Sequence, residues 1–133
     1  MSAPAGFVSV QSPHGAEETV RRFREAVQAA GMTIFAEVDH DIGAGAVGLL
    51  LRPTRLVIFG NARGGTPLMQ IAQTAGIDLP LKALVWEDVR GQTFIGYNDP
   101  QWIAERHGLA AGAAPAVQAM TKGLEMLVAK TTG

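Results

Sequence analysis

Apolar residues first fall into a helical period at residues 15–30, where Ala16, Val20, Phe23, Val27 and Ala30 draw one stripe at alternating steps of four and three. Glu17 and Glu18 stand in the first turn, where the helix dipole favours anions, and each precedes an arginine by four residues, Arg21 or Arg22. Gly31 is placed to close this helix in a left-handed cap. Its charges read as a solvated face and carry no function. Ahead of it, Phe7 to Gln11 alternates weakly and stops at Ser12-Pro13, which predicts a short first strand. Behind it the period changes to two. Over 32–40, Met32, Ile34, Ala36, Val38 and His40 project one way, and Thr33, Phe35, Glu37 and Asp39 the other. The glycine-rich run Asp41 to Gly48 reads as an ordered loop or a loose helical turn.

Arg55 to Gly60 predicts a third strand, apolar on both faces. Beyond the loop Asn61 to Gly65, Thr66-Pro67 reads as a helix N-cap followed by proline at the first helical position. That predicts a helix over 67–75 ending at Gly76. Leu81–Asp88 and Gln92–Asn98 form a hairpin around Arg90-Gly91. With Val89 opposite Gln92, Trp86 pairs with Ile95 and Leu84 with Tyr97, while Val85 meets Gly96 and Glu87 meets Phe94. A short helix begins near Pro100 and carries Trp102 and Ile103 toward Arg106-His107-Gly108. Residues 109–115 form an Ala/Gly-rich joint, and a last helix over about 114–130 shows Val117, Met120, Leu124 and Leu127 on one stripe. There is no internal repeat, and residues 1–133 are expected to form one domain with a core at about 5–110.

This order predicts an α+β fold with a largely antiparallel sheet and helices on one face. Two or three helices on one side cannot cover strands that are apolar on both sides. The second face is therefore expected against a second copy, in a homodimer.

Composition narrows the function. Hydrophobic residues make up 47% and charged residues 17% of the chain, enough apolar material for a core and too much for disorder. The absence of cysteine excludes disulfides and thiolate metal sites. Lys+Arg 11 against Asp+Glu 12 leaves a net charge of −1, without the basic excess that a nucleic-acid or anionic-membrane surface needs. No apolar run approaches the roughly 18 residues of a membrane span, and the start Met1-Ser-Ala-Pro-Ala-Gly6 does not read as a signal peptide. A cytoplasmic protein with no nucleic-acid or membrane partner is the expectation.

Chemistry concentrates in three places. In Glu37-Val-Asp39-His40-Asp41 a histidine among carboxylates has the makings of a general base or a ligand. Regular strand geometry, however, turns Asp39 and Asp41 away from His40, whose plain role is to end a strand. The run Phe59-Gly60-Asn61-Ala62-Arg63-Gly64-Gly65-Thr66-Pro67 joins a strand, a glycine-rich loop and a helix start, which is the form of an anion cradle. It is neither a Walker A loop nor a G-x-G-x-x-G fingerprint, and a tight turn capped by Thr66 accounts for it equally. Lys82, Leu84, Trp86 and Asp88 share one strand face, so an amine, an indole and a carboxylate line a groove. Glu87 lies opposite and invites Arg52, Arg55 or Lys82 as partner; one or two structural ion pairs explain these charges as well. The three histidines, 14, 40 and 107, show no metal-binding spacing. A site from His40, Asp39 and Glu87 or Asp88 exists only if the fold assembles it, so no metal is assigned and no cofactor is named. None of Ser2, Ser9 and Ser12 sits in a nucleophile elbow.

Taken in order, Val38-Asp39-His40, Gly48-Leu49, Leu51-Arg52-Pro53-Thr54, Phe59-Gly60-Asn61, Gly65-Thr66-Pro67-Leu68-Met69, Asp78-Leu79-Pro80-Leu81-Lys82, Trp86-Glu87-Asp88, Tyr97-Asn98 and Arg106-His107-Gly108-Leu109 resemble the domain of unknown function 302 family of small bacterial and archaeal proteins. The resemblance covers about residues 5–110. It implies a β-α-β(4)-α unit similar to the TATA-binding-protein-like class, and pairing as dimers. It brings no activity, and a fold does not carry function, so DNA binding is not implied.

Three readings follow. The first is a dimeric binder of a small polar or anionic molecule, in a groove of His40, Arg52, Thr54, Asn61, Thr66, Lys82, Trp86 and Asp88 with Trp86 or Phe59 as the apolar wall. The second is an enzyme using His40 as acid–base, oriented by Asp39 or Glu87. The third is a structural or partner-binding protein without a ligand.

Overall fold

The computed structural model describes residues 3–109 and 111–133; Met1, Ser2 and Ala110, the last inside the expected 109–115 joint, lie outside it. The first apolar stripe packs as expected, in α1 (Ala16–Ala29), where Thr19, Val20, Phe23, Ala26 and Val27 are buried. Gly31 takes φ +75°, and the Met32 N–H reaches back to the Val27 carbonyl, closing the helix in a left-handed turn. Its surface pairs differ from the expected spacing. Arg21 bonds Glu18 and Glu25, and Arg22 lies 3.9 Å from Glu18, so Glu17 has no arginine partner among the described residues.

Around α1 the chain builds β1 (Phe7–Ser12), β2 (Thr33–Asp39), α2 (His40–Ala46), β3 (Thr54–Gly60), α3 (Ala62–Ile71), β4 (Leu81–Glu87), β5 (Thr93–Asn98), α4 (Pro100–Arg106) and α5 (Ala114–Thr132). Short 3-10 turns occupy Gln73–Ile77 and Ala111–Ala113. The strands form one antiparallel sheet in the order β1-β5-β4-β3-β2, giving the α+β class expected. One face carries Val57, Phe59, Ala83, Val85, Ile95 and Tyr97 into a core with α1 and α5, where Phe23 meets Phe59 edge-on at 5.1 Å. A second buried cluster, Leu68, Ala104, Ala113 and Val117, binds α3 and α4 to α5.

Three local expectations need correction. Phe35 is an extra residue in a β-bulge, so Ile34 pairs with Phe59 while Ala36 pairs with Ile58. Ile34 and Glu37 thus share the helix-covered face, and Ala36 and Val38 turn to the other. The β4–β5 turn is one residue longer than a tight hairpin: Trp86 faces Phe94 and Glu87 faces Thr93. The Asp88 carboxylate makes the difference by accepting the Arg90 and Gln92 N–H groups, both at 2.9 Å. Finally, α3 starts at Asn61, whose side chain accepts the Gly64 N–H at 2.7 Å. Asn61 supplies the N-cap, so Thr66 is no cap and Pro67 lies within the helix.

His40 does not end the strand; it begins α2, a glycine-bearing helix with no buried residue. Asp41 ties this helix to β3 by accepting the Thr54 N–H at 3.1 Å and facing Arg55 Nη2 at 3.5 Å. Partial burial raises the Asp41 pKa, but the Thr54 amide and the Arg55 guanidinium outweigh it and leave the carboxyl below its ordinary value of 3.8. A carboxyl depressed in the folded state stabilises the fold above that ordinary value and loses the contribution as pH falls through the folded pKa. Asp41→Asn should therefore lower the urea midpoint at neutral pH, with the gap to wild type closing in acid below the folded pKa. A gap that persists unchanged in acid contradicts the assignment.

Gly6 takes φ +73°, and a Cβ there would stand 2.2 Å from Trp102 Cγ. Gly6→Ala should cost about 2–4 kcal/mol from backbone strain and overpacking together. Gly123, inside α5, has nothing nearer than Met32 Cε at 4.0 Å, so Gly123→Ala should gain about 0.5–1 kcal/mol. Chemical denaturation of the pair checks both signs.

Candidate functional site

The residues singled out in the sequence fall into three places. Arg52, Thr54, Trp86, Glu87 and Asp88 come together in a shallow basin of about 570 Å3 on the sheet face away from α1 and α5, beside Pro4, Phe7, Leu51, Leu84 and Val89. Strand pairing puts them there: Thr54 lies opposite Trp86, and Trp86 opposite Phe94. The Trp86 ring is flanked by Phe7 at 5.7 Å and Phe94 at 5.5 Å, an aromatic row across three strands. Gly96 permits it, since a Cβ there would stand 2.3 Å from Phe7 Cζ.

Much of the polar capacity in this basin is committed to the backbone. Arg52 Nε donates to the Glu87 carbonyl at 3.2 Å, Thr54 Oγ1 donates to the Arg52 carbonyl at 2.8 Å, and Asp88 builds its turn. The Glu87 carboxylate makes no ion pair with Arg52, Arg55 or Lys82 among the described residues. What the basin offers is mainly aromatic and aliphatic surface.

Asn61 and Thr66 line a different space, a cavity of about 250 Å3 between α3, α5 and the end of β3. Phe59 and Leu81 form part of its floor, Met69 and Leu79 one side, Met120, Leu124 and Leu127 another, with Met32 and Phe35 completing it. Gly60, Gly64 and Gly65 bring bare backbone to the wall. No charged side chain lines it. Here, too, the sequence is explained after the fact: the loop that resembled an anion cradle becomes a helix start, and its glycines border an apolar chamber.

His40, Asp39 and Lys82 belong to neither space. His40 is exposed and makes no hydrogen bond among the described residues, and Asp39 lies 4.0 Å from Arg55 Nε. Lys82 Nζ donates to the Asp78 and Pro80 carbonyls at 3.3 and 3.2 Å. The single polar groove expected from His40, Arg52, Asn61, Thr66 and Lys82 is therefore not assembled: His40 begins α2, Lys82 shares the basin face but sits at the other end of β4 from Trp86, and Asn61 and Thr66 belong to the start of α3 beyond the end of β3. No group of three or more His, Asp or Glu side chains among the described residues is arranged to hold a metal.

Sequence reasoning passed over one polar cluster. His107 Nε2 lies 2.5 Å from Asp78 Oδ2, its Nδ1 lies 3.0 Å from Thr74 Oγ1, and Arg106 Nη1 donates to both Asp78 oxygens at 2.8 and 2.9 Å. The His107 and Asp78 side chains are only 7% and 11% exposed. A hydroxyl, an imidazole and a carboxylate in line have the connectivity of a proton relay, yet none of them lines the cavity or the basin. The array clamps the 3-10 turn to the end of α4. Its signal was available, since Asp78 and His107 stand in two separate motifs of the resemblance.

Comparison with known proteins bears on the whole chain. It is 45% identical over 119 residues to the fluoride-specific ion channel FluC 1 of Brucella suis biovar 1 (strain 1330) and, equally, to FluC 1 of Brucella abortus biovar 1 (strain 9-941). These matches take in 90% of this chain but 47% and 44% of those proteins, so the chain spans less than half the length of the relatives it matches. No helix among the described residues is long and apolar enough to cross a membrane. The crystal structure of an uncharacterized conserved DUF302 protein from Bacillus stearothermophilus superposes with a TM-score of 0.85 at 18% identity, covering 96% of this chain and 99% of that one. Residues 8–127 match the family described as "Domain of unknown function DUF302", and the chain belongs to that family.

Proposed function

We propose that this chain is a homodimeric binding module whose ligand occupies the cavity beside α3 and α5. The observation that carries the reading is the cavity itself, about 250 Å3 of almost wholly apolar space beside an otherwise packed core. The space opens to solvent at the exposed residues Phe35, Asn61 and Thr66, so a ligand can enter it and bury apolar surface against this lining. The lining favours a ligand with an apolar body over the polar or anionic molecule expected from the sequence. The acid–base reading of His40 has less behind it, because neither Asp39 nor Glu87 bonds to that ring.

Self-association rests on the basin face. The basin gathers the half-buried Phe7, Leu84 and Trp86 with the exposed Leu51, and the residues just before Leu51 are open as well, Leu49 at 65% and Leu50 at 101%. Val38 and Val89 are exposed as well. Exposed apolar side chains on an uncovered sheet face suit association with a second copy. The expected outcome in sedimentation velocity at micromolar concentration is a species at twice the 14.0 kDa chain mass, which Leu50→Glu and Leu84→Glu convert to monomer. Leu50 is fully exposed, so its variant tests the interface without disturbing the fold. A wild-type monomer overturns the dimer. For the cavity, a protein that binds none of a set of neutral apolar probes in calorimetry overturns the binder.

A second reading is favoured by the Brucella relatives. A segment 45% identical to this chain makes up nearly half of proteins named as fluoride channels, and this chain has no membrane-crossing helix among its described residues. It would then act as an accessory domain beside a fluoride channel, not as the conducting part. Fluoride efflux from channel-bearing liposomes, followed with a fluoride electrode, should change when the chain is added. An unchanged rate, with no co-sedimentation of the chain with the liposomes, overturns this reading.

A further inference from the structure

Three of the chain's five methionines, Met32, Met69 and Met120, line this same cavity, although they come from just before β2, from α3 and from α5. Their soft ends lie against glycine positions. A Cβ built on Gly65 would stand 3.7 Å from Met69 Cε, and one on Gly64 would stand 3.9 Å from Met120 Cε. The methionine methyls thus rest on bare backbone, and the thioether chains are the surface a ligand meets, one that adapts its shape and attracts ring edges. The aromatic ring open to the space is that of Phe35, 55% exposed at the bulge, whereas Phe59 is fully buried behind the lining. With no charged side chain in the lining, a charged ligand group would find no countercharge. Asn61 spends its carbonyl oxygen on Gly64, and its side-chain amide donors have no protein partner among the described residues.

Size narrows the class further. A dry cavity of about 150 Å3 holds one benzene ring, so about 250 Å3 suits two fused rings. We propose that the cavity takes a flat, neutral, fused two-ring aromatic molecule, held by the three methionines and Phe35, with an acceptor oxygen or nitrogen directed at the Asn61 amide. This rests on the reading of the cavity as a ligand site and adds the ligand's chemical class.

The test uses the intact protein carrying methyl-13C methionine and the probes 2-naphthol, 1-decanol and 2-naphthoate. Saturable ring-current shifts from 2-naphthol are expected at the Met32, Met69 and Met120 methyls, with Met126, exposed on α5 outside the cavity, unmoved. Affinity for 2-naphthol should exceed that for 1-decanol or 2-naphthoate by about tenfold or more. Asn61→Asp keeps the helix-cap acceptor and removes the amide donors, so it should weaken 2-naphthol about three- to tenfold while leaving naphthalene nearly unaffected. Decanol binding as tightly as 2-naphthol at the same methyls would overturn the aromatic class and leave the cavity reading standing. Preferred binding of 2-naphthoate would overturn neutrality alone. If no probe moves the three methyls, both readings fall.

Discussion

Phe23 of α1 and Phe59 of β3 meet edge-on with both rings fully buried, and this contact fixes where the helical layer rests on the sheet. Phe59 is the next-to-last residue of its strand, so the layer is anchored near one end of β3. Past that point the chain leaves the sheet at Gly60 and turns into α3, which packs against α5. A chamber opens where strand, α3 and α5 diverge, and Met32, Met69 and Met120 fill only its margins. Anchoring the layer on one face also leaves the opposite face uncovered, with Trp86 and its aromatic neighbours at its centre. Cavity and open face are two consequences of one packing choice.

The polar motif residues mostly serve the backbone. Asp88 holds a turn, Thr54 and Arg52 fasten the entry to β3 to the end of β4, and Lys82 reaches back to two carbonyls. Asp78 gathers Arg106 and His107 and so fixes α4 relative to the 3-10 turn. Unpaired backbone groups and carboxylates are expensive to bury, and a small domain with long connections between its elements has many of them. The family motifs therefore map chiefly onto connections. That leaves recognition to shape and apolar surface, which short polar motifs do not describe.

Helical periodicity made α1 and α5 legible, and alternation made the strands legible, because each is written locally. The bulge at Phe35 was not legible, since it depends on which strand pairs alongside and where. The one-residue slip in the β4–β5 hairpin came from the Asp88 side chain competing with a tight turn, and the early start of α3 came from Asn61 outranking Thr66 as a cap. The candidate site was legible in pieces. Arg52, Thr54, Trp86, Glu87 and Asp88 do meet, but His40 and Asn61 fall in helices and Lys82 at the far end of β4, placements that short motifs do not encode. The methionine-lined chamber was invisible, because Met32, Met69 and Met120 lie far apart in the chain and each reads singly as ordinary core.

Alternation along β3 and β4 separates the two apolar surfaces to within one residue. Phe59 and its partner Leu81 face the chamber, whereas the next pair, Ile58 and Lys82, faces away with the uncovered side. A shift of one residue in this pairing would exchange the two sets, so the register that closes the core also keeps the chamber and the open face from merging. The pair sits at the edge where β3 gives way to Asn61, and Gly60, with φ +151°, carries the chain off the sheet there. The chamber meets this strand pair at Phe59 and Leu81, whereas Thr54 and Trp86 hold the basin at the pair's other end, so the two surfaces are separated both by face and by the length of the strands.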